Sequence, residues 1–384
     1  MTSNSTLFTR PAIGLRGLGA VAALLAIASV GLALAPPRAS AAAPAYFVGL
    51  QGWGKPSETQ LLKVKRARVQ NYRIQLNWAS IEKRRPVANR RRCPRVEETW
   101  SGNHCYDWRA FDRLFARAAH RRVRMLPVLT GSPRWAYAKQ TTPPLGPAGR
   151  RAFYDFTRAA AKRYGPTGTF WSRRGVPKAL RAYYWQVWNE PNLPSYWKGR
   201  PNAREYAGFL SGASDAANRG DSEVRIVVGG LPYSSNRGAV DPRDFMRGMF
   251  RANRGIYRKF TAVGLHPYAR NPSLVLQAVR AMRITMNDIG RMGGKSIYLT
   301  ELGWATGRSD GRFQVSERTQ ASYFRDVYGR LIGARNRYNI RGAIWFSISD
   351  VRNPWFWGER TGLLRSNGSH KPSWMSLTRV TGAP

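Results

Sequence analysis

Cysteine is nearly absent: Cys93 and Cys105 are the two in a chain of 384 residues. With no further thiol and no suitably spaced His pair, they do not make a zinc site. Acidic residues are scarce as well, 21 Asp and Glu against 63 Lys and Arg, for a formal net charge of +42. Such an excess attracts polyanions, but net charge speaks to association and not to fold. The elements that would make it a nucleic-acid reader are missing: there is no zinc finger, RNP-type aromatic motif or basic heptad run. A reading based on charge alone would predict steeply salt-dependent binding. The basic residues are dispersed along the chain, as a compositional habit would leave them. One cluster stands apart, Lys83-Arg84-Arg85, then Arg90-Arg91-Arg92 and Arg95. Segment 83–95 is therefore the place where we expect any affinity for an anionic glycan or cell-wall polymer, and we expect no specific nucleic-acid partner.

Long uncharged apolar runs are also missing, except at the start. Arg10 and Arg16 precede an apolar stretch from Leu18 to Ala35, followed by Pro36-Pro37 and Ala39-Ser40-Ala41. Positive region, apolar region and small-residue site together describe a secretory signal peptide, with a retained membrane anchor as the alternative. Ala and Gly content and the nearby A-x-A site favour removal. We expect residues 1–41 to be the leader and 42–384 a single secreted domain; the apolar share of the whole chain, 43%, supports a full core. Export would place Cys93 and Cys105 in an oxidising compartment, where a loop-closing disulfide contributes about 3 kcal/mol.

From Tyr46 onward strand-like and helix-like segments alternate. Strands are expected at 46–50, 72–76, 123–129, 182–188, 225–229, 260–265, 296–300 and 342–348. Helices are expected at 57–68, 107–120, 149–164, 202–218, 241–252, 273–291, 316–336 and 371–379. Eight strand-then-helix units give parallel strands with right-handed crossovers, in a closed (β/α)₈ barrel or an open doubly wound sheet. The open sheet is usually announced by a Gly-rich turn after its first strand, and Gly52-Trp53-Gly54-Lys55 is not one. The Gly-rich stretch 290–296 lacks phosphate-loop spacing and precedes a strand instead of following one. We expect the barrel, whose active sites lie in the loops after the strands.

The strand ends carry the chemistry. Strand two offers Arg73, Asn77 and Trp78, and strand three Ser132, Pro133 and Trp135. Strand four stops at Asn189-Glu190-Pro191-Asn192, among Trp185, Trp188, Tyr196 and Trp197; strand six ends in His266-Pro267-Tyr268, strand seven in Glu301 before Gly303-Trp304, and strand eight contains Trp345. In an acid-poor chain, two Glu residues at strand ends stand out. Singly, each has a bland explanation: Glu301 in a buried ion pair with Arg73, Glu190 capping a turn. Together they suggest the paired carboxylates of glycoside hydrolysis, one attacking the anomeric carbon and the other protonating the leaving oxygen. Each Trp alone reads first as core; Trp345 is the one expected under a sugar.

VWNEPN, LHPY, LTELGW and AIWFSISD resemble the clan A glycoside hydrolases, retaining (β/α)₈ enzymes of cellulase-like and β-xylosidase-like families, over roughly Tyr46 to Trp374. The resemblance implies Glu190 as acid/base and Glu301 as nucleophile, with Asn189 on the sugar 2-hydroxyl. It further implies Arg73 and Tyr268 beside the nucleophile, His266 on the substrate side and Trp345 beneath the sugar. The loop after strand three lacks the paired His or His-Asn signature of several cellulase-like families, which leaves the sugar open. The tail from Gly362 to Trp374 looks like the closing segment of secreted bacterial members. The expectation is a monomeric, secreted β-glycosidase acting on a β-linked oligo- or polysaccharide without metal or organic cofactor. Transglycosylation through the same intermediate, or non-catalytic glycan or cell-surface binding on a barrel scaffold, are the alternatives.

Overall fold

The structure is a computed structural model that describes residues 42–88, 90–93, 99–101, 103–173, 175–307, 313–352 and 357–384. The leader-like residues 1–41 and Arg95 lie outside the described residues, and among those described no helix is long and apolar enough to cross a membrane.

Eight strands carry the fold: β1 (Val48–Gln51), β2 (Asn71–Asn77), β3 (Arg124–Thr130), β4 (Tyr184–Asn189), β5 (Arg225–Pro232), β6 (Ala262–His266), β7 (Ser296–Leu302) and β8 (Ile340–Phe346). Each is followed by a helix: α1 (Glu58–Arg66), α2 (Arg109–His120), α3 (Pro147–Tyr164), α4 (Ala203–Gly220), α5 (Pro242–Ala252), α6 (Pro272–Ile289), α7 (Glu317–Gly333) and α8 (Pro372–Thr381). The strands pair in parallel and in sequence order, and β1 closes on β8, with Val48 opposite Ala343 and Gln51 opposite Phe346. This is the closed (β/α)₈ barrel expected from the alternation, and the open-sheet alternative falls.

Local chemistry sets the helix starts. Ser57 and Gln60 form a reciprocal capping box ahead of α1, and the side chains of Asn202, Asp241, Asn271 and Ser316 cap α4, α5, α6 and α7. Proline occupies the first turn of α3, α5, α6 and α8, where its missing N–H costs nothing.

Strand side chains alternate between two environments. One set packs outward against the helices in the main core, including Tyr72, Val187, Leu299 and Trp345. The other fills the lumen, where Leu126, Val227, Ala262, Tyr298 and Ile344 form a separate apolar cluster. One departure from the expected elements occurs after β2, and one expectation is met there. A hairpin of Thr99–Ser101 and His104–Tyr106 is inserted there, and the Cys93–Cys105 disulfide ties the basic segment to it. Inside this insertion Glu82 is fully buried, accepting from Trp78 Nε1 at 2.7 Å and meeting His104 Nδ1 at 2.6 Å. Bonds to Glu82 and Asp155 hold the His104 imidazolium up to about 9 despite its burial, so this clamp keeps its charge through neutral pH.

Candidate active site

The mouth of the barrel is built around one arginine. Arg73, 1% exposed, points into the lumen from β2 and distributes its guanidinium among four acceptors. Nε donates to Gln186 Oε1 at 3.1 Å, Nη2 to Asn189 Oδ1 at 2.7 Å, and Nη1 to Gln51 Oε1 and to Glu301 Oε1, the latter at 2.5 Å. A buried cation demands this saturation, and β1, β4 and β7 supply it. The second Glu301 oxygen accepts from Tyr268 Oη at 2.9 Å.

Glu190 enters from β4 by a different device. Trp188 (φ 66°) and Glu190 (φ 46°) both occupy the left-handed region, although a residue before proline is normally extended. The kink sends Trp188 outward onto Phe153 and Phe209, while Asn189 turns to Arg73 and Glu190 faces the mouth. Two such residues in three cost about 1–3 kcal/mol each, the kind of strain that clusters at functional sites. The Glu190 carboxylate meets His266 Nδ1 at 2.8 Å, and His266 Nε2 lies 3.0 Å from Thr300 Oγ1.

The two carboxylates therefore face each other across His266. One oxygen of Glu190, one of Glu301 and a ring nitrogen of His266 lie within 4.8 Å of one another. Each acidic side chain keeps about a tenth of its surface open, 12% for Glu190 and 11% for Glu301. Their proton affinities are pushed apart. Burial raises the Glu190 carboxyl above its ordinary value, the Glu301 charge adds to this, and the bond to His266 opposes it. Burial would raise Glu301 too, but the charges of His266 and Arg73 and the bonds from Tyr268 and Arg73 hold it below the usual carboxylate range. The same three residues form a donor set that a divalent cation could use. Arg73 already lies on Glu301, however, and its fixed positive charge disfavours a second cation there.

No protein-family model matches the sequence, and no curated protein matches it. Solved structures do. One is a family 39 glycoside hydrolase from the gut symbiont Bacteroides cellulosilyticus WH2, at 16% identity and TM-score 0.61 over 88% of this chain and 64% of that one. The chain thus spans less than two thirds of that protein's length. A monomeric beta-xylosidase from Caulobacter crescentus CB15 is similar at 17% identity and TM-score 0.61, over 87% of this chain and 67% of that one. The family 53 glycoside hydrolase catalytic domain of Ignisphaera aggregans is similar at 17% identity and TM-score 0.56, over 88% of this chain and 96% of that one. The chain has the fold of these glycoside hydrolases.

On this glycoside hydrolase fold, a cleft of about 910 Å³ opens beside Glu190. The loops after β4 and β5 form one side with Leu193, Tyr196 and Tyr233; Tyr268, Phe313 and Trp357 form an aromatic wall, with ring centroids 4.9–6.1 Å apart. Five residues expected from the sequence converge here: Arg73, Asn189, Glu190, Tyr268 and Glu301. Two do not take their expected places. Trp345 is fully buried on the outer face of β8, donating Nε1 to Thr361 O at 2.9 Å and packing on Trp304 and Phe324. It lies under the helices and not under a sugar. Phe346, one residue on, shares the lumen face with Ile344 and meets the half-exposed Trp53 edge to face at 4.8 Å. The peptide after Phe346 is cis.

His266 is the other correction. Its ring is fully buried between Glu190 and Thr300, so it contacts an acid and not the open cleft. Sequence reasoning missed what makes room for it: a Cβ on Gly230 of β5 would sit 2.0 Å from His266 Nε2. It also missed Gln51 and Gln186, although a lone amide in an otherwise apolar strand is a visible signal. Trp78, Trp188, Trp197 and Trp304 are buried structural donors, and of Trp185, Trp188, Tyr196 and Trp197, which flank Glu190 in the sequence, Tyr196 is the one that lines the cleft. Among the described residues, none of those lining the cleft comes from the basic segment.

Proposed function

We propose that the protein is an exported, retaining β-glycosidase that cleaves a β-linked oligo- or polysaccharide through a covalent glycosyl-enzyme. The observation that carries this reading is the Glu190–Glu301 pair, with oxygens within 4.8 Å and proton affinities displaced in opposite directions. Retaining enzymes hold their carboxyl groups about 5–5.5 Å apart, whereas inversion needs about 6.5–9.5 Å to admit a water. Glu301, kept ionised by Arg73 and Tyr268, attacks the anomeric carbon. Glu190, kept protonated by burial, gives its proton to the leaving oxygen and then takes one from the water that releases the sugar. Asn189, fixed by Arg73, is placed to bond the adjacent hydroxyl. Trp53 and Phe346 replace Trp345 as the aromatic surface for the ring. Export is supported by the leader-like residues 1–41 and by the Cys93–Cys105 disulfide. We take the enzyme to act as a monomer, as the Caulobacter enzyme is described.

Residues 42–384 should be assayed against a panel of aryl β-glycosides and β-linked polysaccharides, following the first-formed anomer by NMR. Release of the β-anomer is expected; an α-anomer would overturn retention, and inertness across the panel would overturn the glycosidase reading.

Gly230→Ala tests the support beneath the pair. The new methyl must displace His266, an overpacking cost of about 1–3 kcal/mol. The bond from His266 lowers the Glu190 pKa, so losing it should raise that pKa further. The alkaline limb of kcat/KM is then expected to move to higher pH while turnover falls. Reduced turnover with an unmoved limb would make His266 a packing residue only.

A further inference from the structure

We infer that the cleft takes a glycan bearing a negatively charged substituent, a carboxylate or a sulfate ester, and that Arg270 is the residue that selects it. The inference rests on the glycosidase reading for the identity of the cleft and extends it to a substrate class.

Among the described residues lining the cleft, Glu190 and Arg270 are the two with acidic or basic side chains. Arg270 is exposed, and among the described residues no carboxylate or hydrogen-bond acceptor holds its guanidinium. Arginines without partners are common on a chain of this charge, so the setting matters more than the missing partner. The backbone that presents Arg270 is fixed on both sides. Tyr268 N donates to His266 O at 2.9 Å, and Trp304 Nε1 donates to Ala269 O at 2.7 Å. On the other side Asn271 caps α6, accepting from Leu274 N at 3.0 Å. The guanidinium therefore projects from an anchored turn, two residues from the tyrosine that bonds Glu301. A glycoside with hydroxyl groups alone needs no formal charge in this position. The paired oxygens of a carboxylate, or two of the three terminal oxygens of a sulfate ester, match the guanidinium fork in charge and in bidentate geometry. The wider positive field of the chain would also concentrate polyanionic chains at the cleft.

Among the described residues none of the basic segment 83–95 lines this cleft, so the contact inferred for Arg270 is separate from the one expected of that segment.

The test compares three β-linked tetrasaccharides of one backbone type: neutral, uronic acid and sulfated. Affinities are measured by intrinsic fluorescence in a Glu301→Gln background, which stops turnover while leaving Arg73 an acceptor. Arg270→Gln is expected to weaken one or both anionic probes by about tenfold or more and the neutral probe by less than about twofold. The probe that suffers names the substituent. Arg219→Gln, in the last turn of α4 at the opposite end of the barrel, should change none of the three. The proposal is overturned if Arg270→Gln leaves the anionic probes unchanged, if it weakens the neutral probe equally, or if Arg219→Gln has the same effect. Hydrolysis by the unmodified enzyme is scored separately. Arg270-dependent binding without hydrolysis of any probe would sink the glycosidase reading and leave this one standing.

Discussion

Glu301→Ala is expected to lower kcat by at least about 10⁴-fold on every glycoside, whatever its leaving group, because it removes the atom that bonds to the sugar. A second effect follows from the packing. Glu301 is the only formal negative charge among the acceptors of Arg73, whose guanidinium is 1% exposed. Breaking a buried pair by removing one partner costs about 3–5 kcal/mol, since the remaining charge stays buried and uncompensated. Glu301→Ala should therefore be inactive and measurably less stable in urea. Glu301→Gln keeps an oxygen for Arg73 and turns its amide nitrogen to Tyr268 Oη, which can accept instead of donate, so it should be as inactive while losing less stability. The pair of variants separates chemistry from architecture. The acid limb of the unmodified enzyme belongs to the same group. Its folded pKa is depressed, so the stability it contributes is present above the unfolded carboxyl pKa and is lost as pH falls through the folded value. Activity should fail in that same acidic window. Substantial residual turnover in Glu301→Ala would remove Glu301 from the mechanism.

The barrel was legible because each strand-helix unit announces itself by a change of hydrophobic period, five of the eight helices also by a side-chain cap, and eight such units allow few topologies. The carboxylate pair was legible because acid is rare in this chain and both residues fall at strand ends. What the sequence hid was which way side chains point. Parallel strands in a barrel are buried on both faces and read as continuous apolar runs, so the stretch Ala343-Ile344-Trp345-Phe346 gives no phase. Trp345 is expected beneath the sugar from its residue type and from the family resemblance, and the closure of β8 on β1 turns it outward. His266 failed for a related reason: its place depends on the absent side chain of Gly230, a residue on a different strand. The hairpin at 99–106 escaped because strands of three residues carry no period.

Glu190→Ala should fail in a way that depends on the leaving group. The proton that Glu190 supplies matters when the departing oxygen is strongly basic, as in a natural glycan, and hardly matters for a nitrophenolate. Formation of the glycosyl-enzyme should therefore survive on nitrophenyl glycosides, while polysaccharide substrates become inert. The second step still needs a base to activate water, so the intermediate should accumulate and appear as a burst of nitrophenolate followed by slow turnover. The alkaline limb should vanish with the residue. In the unmodified enzyme, activity is lost as pH rises through the elevated Glu190 pKa, because the ionised form can no longer donate. Azide needs no general base, and the space left beside His266 and Tyr196 should admit it to the face from which the leaving group departed. It is expected to restore turnover on nitrophenyl substrates and to yield a β-glycosyl azide, the product of two inversions. A β-glycosyl azide from Glu301→Ala, with the singly inverted α-glycosyl azide from Glu190→Ala, would show instead that the two carboxylates hold each other's roles.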